Sequence, residues 1–418
     1  MLSFLSEVPI EVWIAGVLAL YMAWAIGAND VANAMGTSVG SGALTVGGAI
    51  LAAAVFEFAG AFLAGGHVTD TVRKGMLDMT LVSREDLIYG MLAALASAGT
   101  LLVAATRFGL PISTTHSIVG AIVGFGAVGI GFEAVEWAKV GQIALSWVTS
   151  PLLAGILAFI IFQITRSRIL DTENPIAQVR KIGPIFFFFV FFIIGLVTMF
   201  KGLKPLKLDL DLTEALIGST LLGGLGAVIG FILIRRVDVV AQGKAHRFDQ
   251  VERIFVILQI MTACAIAFAH GSNDVANSIG PLAAVAHAAR EIDFVGKVPV
   301  EPWMLAIGGI GIVIGLATWG YRVMETVGKR ITELTPSRGF AAELAAATTI
   351  VLASRLGIPI STTHTLVGAV LGVGLARGIG AIDLRIVGKI MASWVATLPI
   401  AAILSIFFYF FFKGLLTP

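Results

Sequence analysis

Two polar segments, each present twice, carry the chemistry of this chain. The first pair is Asn29-Asp30-Val31-Ala32-Asn33 and Asn273-Asp274-Val275-Ala276-Asn277. On a helix, residues three and four apart share a face, so Asn29, Asp30 and Asn33 align, as do Asn273, Asp274 and Asn277. A carboxylate beside amide oxygens is a hard donor set that suits a small cation. Gly27, Gly36 and Gly40 around the first copy permit bending or unwinding, which would free backbone carbonyls as further ligands. Polar side chains also join helices by hydrogen bonds. A carboxylate repeated in apolar sequence, where facing lipid costs roughly 3 kcal/mol, favours the ion site.

The second pair is Pro111-Ile112-Ser113-Thr114-Thr115-His116 and Pro359-Ile360-Ser361-Thr362-Thr363-His364. Proline lacks an N–H and disfavours helix in the residue before it, so a helix should stop there. Ser113 and Ser361 are then N-cap candidates for a new helix. Thr114, Thr115, Thr362 and Thr363 add hydroxyls to the first turn. A buried helix N-terminus offers free N–H groups and the positive end of the helix dipole, a combination that binds phosphate-like anions. Two such termini can clasp one tetrahedral oxyanion without a lysine. The plainer reading of one copy is a proline kink capped by its own hydroxyls.

The neighbours of these motifs are less specific. His116 and His364 are mirrored and read first as packing residues, with a proton role open because imidazole titrates near neutral pH. Arg107 and Arg355 read as snorkelling residues at segment ends. Glu57 and Glu343 are acids in apolar runs; Leu95 stands where a first-half counterpart of Glu343 would be. Each is a cation site, a proton site or part of a polar interior. Ser146-Trp147 and Ser393-Trp394 echo one another, the tryptophans as packing or interface anchors.

The elements that must position these groups lie in a membrane. The 418 residues are 57% hydrophobic and 13% charged, with mean hydropathy +0.95, whereas soluble domains carry about 25% charged residues. A net charge of +2 without basic runs argues against a nucleic-acid partner. The single cysteine, Cys264, permits no intrachain disulfide, and no cleavable signal pattern opens the sequence.

With about 20 residues per span, segments fall near 10–28, 43–66, 86–107, 113–132, 137–163, 184–201, 212–235, 252–272, 274–289, 302–320, 339–377 as two short pieces, and 384–414. The expectation is an all-α polytopic membrane protein of about 12 transmembrane segments. It comprises a first repeat (1–165), a connecting part with two helices and basic loops (166–251) and a second repeat (252–418), with broken or re-entrant helices. Arg166, Arg168, Arg180 and Lys181, and then Arg235, Arg236, Lys244, Arg247 and Arg253, mark cytoplasmic loops. This sets the N-terminus, with Glu7 and Glu11, outside and inverts the repeats. Arg73, Lys74 and Arg84 count against that orientation, although Asp70, Asp78, Glu85 and Asp86 accompany them.

Gly27-Ala28-Asn29-Asp30-Val31-Ala32-Asn33-Ala34, its second copy from Gly271 to Ser278, and both Pro-Ile-Ser-Thr-Thr-His segments together resemble the inorganic phosphate transporter (PiT) family over essentially the whole chain. The resemblance implies an inverted-repeat transporter moving phosphate with a coupling cation, usually sodium and in some bacterial members protons. Ser113, Thr114, Thr115, Ser361, Thr362 and Thr363 become phosphate ligands. Asn29, Asp30, Asn33, Asn273, Asp274 and Asn277 become cation or central-site ligands, with sodium at the Asp30 and Asp274 segments. Glu57 and Glu343 become coupling acids. Leu95 departs from relatives with a second glutamate, which bears on ion stoichiometry, and the long hydrophilic loop of animal members is missing.

The expected function is therefore sodium-coupled phosphate import by alternating access at the plasma membrane, with no cofactor and with phosphate, sodium and the lipid bilayer as partners; a homodimer is left open. The rivals are proton-coupled uptake of phosphate or a metal–phosphate complex, a sulfate permease, and an uncoupled channel. Enzyme activity is not expected: no nucleotide-binding glycine loop is present, and the motifs assemble no nucleophile, base and orienting acid.

Overall fold

The computed structural model describes residues 8–65, 76–199, 210–236, 244–290, 300–355 and 360–417. Glu7, Asp70, Arg73, Lys74 and Pro359 lie outside the described residues, as do the side chains of Lys244, Arg247 and Arg355.

The fold is all-α. Its helices are α1 (Ile10–Gly40), α2 (Val46–Ala64), α3 (Arg84–Arg107), α4 (Thr114–Phe125), α5 (Trp137–Thr165), α6 (Pro175–Val197), α7 (Leu212–Arg235), α8 (Lys244–Ala289), α9 (Pro302–Trp319), α10 (Tyr321–Glu325), α11 (Pro336–Arg355), α12 (Thr362–Arg377) and α13 (Leu384–Leu416). Among the described residues, nine helical runs are long and apolar enough to cross a bilayer. Helices dominate because every backbone polar group must be satisfied where no water is available. Exposed apolar rows such as Leu145, Val148 and Leu152 on α5 or Leu221, Leu225 and Val228 on α7 are what lipid contact requires.

Several expected boundaries move. The segments placed at 252–272 and 274–289 are one helix, α8, of 46 residues, about 69 Å at 1.5 Å per residue. The division set at 251–252 falls inside it. Nor do the Asn-Asp segments unwind: α1 and α8 pass through both without a break. Their glycines serve close approach instead. A side chain on Gly27 would collide with the Ile312 backbone of α9, and one on Gly271 with the Glu57 backbone of α2. Arg180 and Lys181 sit on the first turns of α6 rather than in a loop, because Asn174 and Pro175 start that helix early. Arg84 opens α3 and donates to the carbonyls of Ala288 (2.6 Å) and Ala289 (3.0 Å) at the end of α8. Its positive charge thus lies against the C-terminal end of α8, where the helix dipole favours a cation.

A break falls at the proline motif of the first half, and in the second half α12 opens at Thr362 behind its Ser361 cap. Between α3 and α4, Gly109 adopts φ +65° and Pro111 supplies no N–H. Packing is mirrored across the two halves: α1 lies on α9 and α8 on α2, while α4 lies on α13 and α12 on α5. Each half-helix that opens at a Ser-Thr-Thr segment thus packs against the long helix of the other half.

Candidate functional site

Ser113 and Ser361 cap α4 and α12, their hydroxyl oxygens accepting from the N–H of His116 and of His364, each at 3.2 Å. The caps satisfy the third N–H of each helix and leave the first two free by helix geometry. Asn29 fixes the α3–α4 break: its amide donates to Thr106 (2.9 Å) and to the Leu110 carbonyl (3.1 Å), and its oxygen accepts from the Ile112 N–H (3.2 Å). The Trp394 indole adds a bond to the Pro111 carbonyl at 3.1 Å. Asn29, expected as an ion ligand, makes these hydrogen bonds to the residues of the break.

Both half-helices converge on Asp30. The Thr114 hydroxyl of α4 donates to one carboxylate oxygen. The Thr363 hydroxyl of α12 donates to the other at 3.2 Å, and Asn33 donates to that same oxygen at 3.0 Å. Asn33 also donates to Thr363 at 2.8 Å. Asp274 repeats the pattern loosely, accepting from Thr362 at 3.4 Å and Asn277 at 3.3 Å. Thr115 is half-buried and supplies no hydrogen bond to the cluster, and Asn273 is half-buried on α8. Four sequence motifs far apart in the chain therefore meet in one buried site.

His270 was not singled out from the sequence. Its Nε2 lies 2.7 Å from Asp274 and 3.9 Å from Asp30, and its Nδ1 lies 3.4 Å from Glu57. The available signal was its place one helical turn before Asp274; Ile26 occupies the corresponding position of the first half, so no duplication drew attention to it. Ligand atoms of Asp30, His270 and Asp274 lie within 4.8 Å of one another. Both oxygens of Glu57 and the side-chain oxygen of Asn33 are buried without a hydrogen-bond donor. Buried acceptors lacking donors are what a cation satisfies.

Glu343 belongs to a separate cluster. It accepts from Thr37 (2.6 Å), Ser38 (2.8 Å), Gln259 (3.1 Å) and Thr262 (2.5 Å). The two acids that seemed alike in sequence thus occupy different environments, Glu57 beside a histidine and Glu343 inside a ring of neutral donors. Arg107 ends α3 with its side chain exposed.

His116 and His364 face each other with ring centroids 4.2 Å apart, bracketed by Trp147 at 3.6 Å and Trp394 at 3.5 Å. Pro151 within α5 has no N–H for the Trp147 carbonyl four residues earlier. His364 Nδ1 takes up that carbonyl at 3.3 Å, which fixes the hydrogen on Nδ1. Trp394 is buried and Trp147 half-buried, each packed against a histidine ring.

The sequence model described as the phosphate transporter family matches residues 26–405. This chain belongs to that family. It is 47% identical over 405 residues to a protein named as a phosphate permease in Haemophilus influenzae, covering 96% of both chains. It is 42% identical to the chloroplastic inorganic phosphate transporter 2-1 of Arabidopsis thaliana, covering 95% of this chain and 71% of that one. A solved structure of a protein named as a sodium-dependent phosphate transporter superposes with a TM-score of 0.89 at 40% identity, covering 98% of this chain and all of the other. The chain is thus a multi-pass membrane transporter of the phosphate family and not an enzyme.

Proposed function

We propose that this transporter imports phosphate by sodium symport through alternating access. The observation that carries the reading is the double engagement of Asp30, with one oxygen bonded to Thr114 from α4 and the other to Thr363 from α12. A hydroxyl has one hydrogen to give. While the Asp30 carboxylate accepts those hydrogens, they are withheld from an anion. A cation at Asp30 competes for the same lone pairs and releases both hydroxyls toward a phosphate at the two helix N-termini. Cation and anion then favour each other twice, by charge and by hydrogen-bond exchange. In this reading Ser113, Thr114, Thr115, Ser361, Thr362 and Thr363 line the phosphate position. Asp30, Asn33, Asp274 and Asn277 hold sodium, with Asn29 and Asn273 behind them.

The solved structural relative, named for its sodium dependence, supports sodium over protons. The mirrored packing of α1 on α9 with α8 on α2, and of α4 on α13 with α12 on α5, supports two inverted repeats, here roughly 1–165 and 252–418 around a connecting part at 166–251. We place the transporter in the plasma membrane with its N-terminus outside, following the basic residues at the ends of α5, α7 and the start of α8.

Proton coupling is the second reading. His270 lies within 4 Å of Glu57, Asp274 and Asp30, so a proton there would serve three carboxylates. Radiolabelled phosphate uptake into liposomes holding the purified protein separates the two. Accumulation that requires an inward sodium gradient at fixed pH establishes the symport. Accumulation driven only by a pH gradient moves coupling to His270 and Glu57, and no accumulation under either gradient overturns coupled transport.

A further inference from the structure

We propose that a groove on the basic face of the protein binds the headgroup of an anionic phospholipid, whose acyl chain lies along α13. The groove has a volume of about 710 Å³ and opens between Lys329 and Arg330, the 3₁₀ turn Ile379–Ala381, and Asp383-Leu384 at the start of α13. A backbone hydrogen bond from the Asp383 N–H to the Ile331 carbonyl, at 3.0 Å, holds its two walls together.

The charges in this groove are not balanced. Glu333 is occupied by Arg377 at 3.1 Å and Arg338 at 3.7 Å. Asp383 accepts from the N–H groups of Arg385 (2.9 Å) and Ile386 (3.2 Å) as the cap of α13. Both carboxylates are therefore engaged. Arg330 is paired with Glu325 at 3.1 Å, but Lys329 is exposed and makes no hydrogen bond or ion pair among the described residues. Arg385 is likewise exposed on the first turn of α13. An exposed cation against a surface whose acids are already satisfied favours an anion.

A second observation selects a lipid over a free anion. Leu384 (63% exposed), Met391 (48%) and Val395 (78%) continue outward from the groove, and a side chain on Gly388 between them would meet nothing within 4 Å. Positions 384, 388, 391 and 395 fall on one helix face. Headgroup pocket and acyl stripe are thus continuous, the arrangement expected where a basic pocket meets the hydrocarbon boundary.

The location agrees. Glu252 near the start of α8 accepts from the Ser337 N–H and hydroxyl at the start of α11, at 2.8 and 2.7 Å. The groove therefore lies on the face where α8 begins and where Arg253 and Arg338 gather. The corresponding turn of the first half, Phe132–Ala134, carries Glu133 and is followed by Glu136. At the second turn Gly380 stands in place of Glu133, while both turns are followed by an acid, Glu136 in one half and Asp383 in the other.

The test is native mass spectrometry of the purified full-length protein exposed to phosphatidylglycerol or phosphatidylcholine of matched acyl chains. The expected result is one preferentially retained phosphatidylglycerol per chain. Lys329→Ala with Arg330→Ala should lower that preference about ten- to thirty-fold, and Glu133→Gln should not change it. Lys329→Gln alone, which breaks no contact, is the second variant if the double one is poorly folded, and it should lower the preference in the same direction. Equal retention of the two lipids, or an unchanged preference in the Lys329 variants, overturns the proposal. So does competition by glycerol 3-phosphate as effective as by phosphatidylglycerol, which would make this a small-anion site.

Discussion

Asp30 on α1 and Thr363 on α12, 333 residues apart in the chain, are joined by a 3.2 Å hydrogen bond at the buried meeting point of the two halves. Thr363→Val removes this donor and the acceptor that Asn33 uses at 2.8 Å. Hydrogen bonds to charged groups contribute about 1.5–3 kcal/mol, so the phosphate concentration for half-maximal uptake should rise roughly ten- to hundred-fold. Thr363→Ser should retain most of the affinity. Uptake kinetics across a phosphate series decide it, and a Val variant with unaltered half-saturation would remove Thr363 from the site.

Asp30→Asn tests the cation rather than the anion. The amide keeps an oxygen for Thr114 or Thr363 but loses the charge that a sodium ion needs. Half-maximal activation by sodium should shift upward by at least about tenfold, equivalent to 1.4 kcal/mol, while the protein remains monodisperse. Sodium activation curves of wild type and variant provide the comparison. Superimposable curves would exclude Asp30 as a cation ligand.

Much of this site was legible in the sequence because duplication isolates it. Asn29 to Asn33 and Ser113 to Thr115 repeat as blocks, and polar blocks repeated in apolar sequence have few purposes. His270 carried no such mark, and only folding brings Glu57 of α2 beside it. The continuity of α8 was hidden for another reason. The polar stretch Ser272-Asn273-Asp274 resembles a break by composition, yet the helix runs through it because its polar side chains bond within the protein interior. The N-cap role of Ser113 followed from Pro111 two residues before it. The bond of His364 to the carbonyl left free by Pro151 did not, since it joins different halves of the chain.

Glu343 offers a test of the second polar cluster. Four donors converge on it from Thr37, Ser38, Gln259 and Thr262. Glu343→Gln keeps one strong acceptor and should fold with modest loss. Glu343→Leu leaves buried donors without partners, at a cost of about 1–3 kcal/mol for each one that finds no substitute. Thermal unfolding in detergent should therefore place the Leu variant clearly below the Gln variant. Equal melting temperatures would mean that these hydroxyls satisfy themselves on their own helix backbones.

The crossings of the half-helices rest on two mirrored glycines. A Cβ on Gly120 of α4 would lie 2.7 Å from the Leu398 carbonyl of α13, and one on Gly368 of α12 would overlap the Pro151 carbonyl of α5. Backbone atoms cannot swing aside as a flexible side chain can, so the added methyl must push a helix outward. That displacement acts directly on Thr362 and Thr363, two turns or less from Gly368 on the same helix. Gly368→Ala should lower both thermal stability, by about 1–3 kcal/mol as overpacking does, and phosphate affinity. Gly388→Ala on α13 is the control, since its Cβ would meet nothing within 4 Å; replacing glycine within a helix there should be neutral or stabilising by up to about 1 kcal/mol. Melting temperatures and phosphate affinities of the two variants, measured side by side, decide whether the tight crossing positions the threonines. If Gly368→Ala melts lower yet binds phosphate normally, the crossing supports the fold without setting the site.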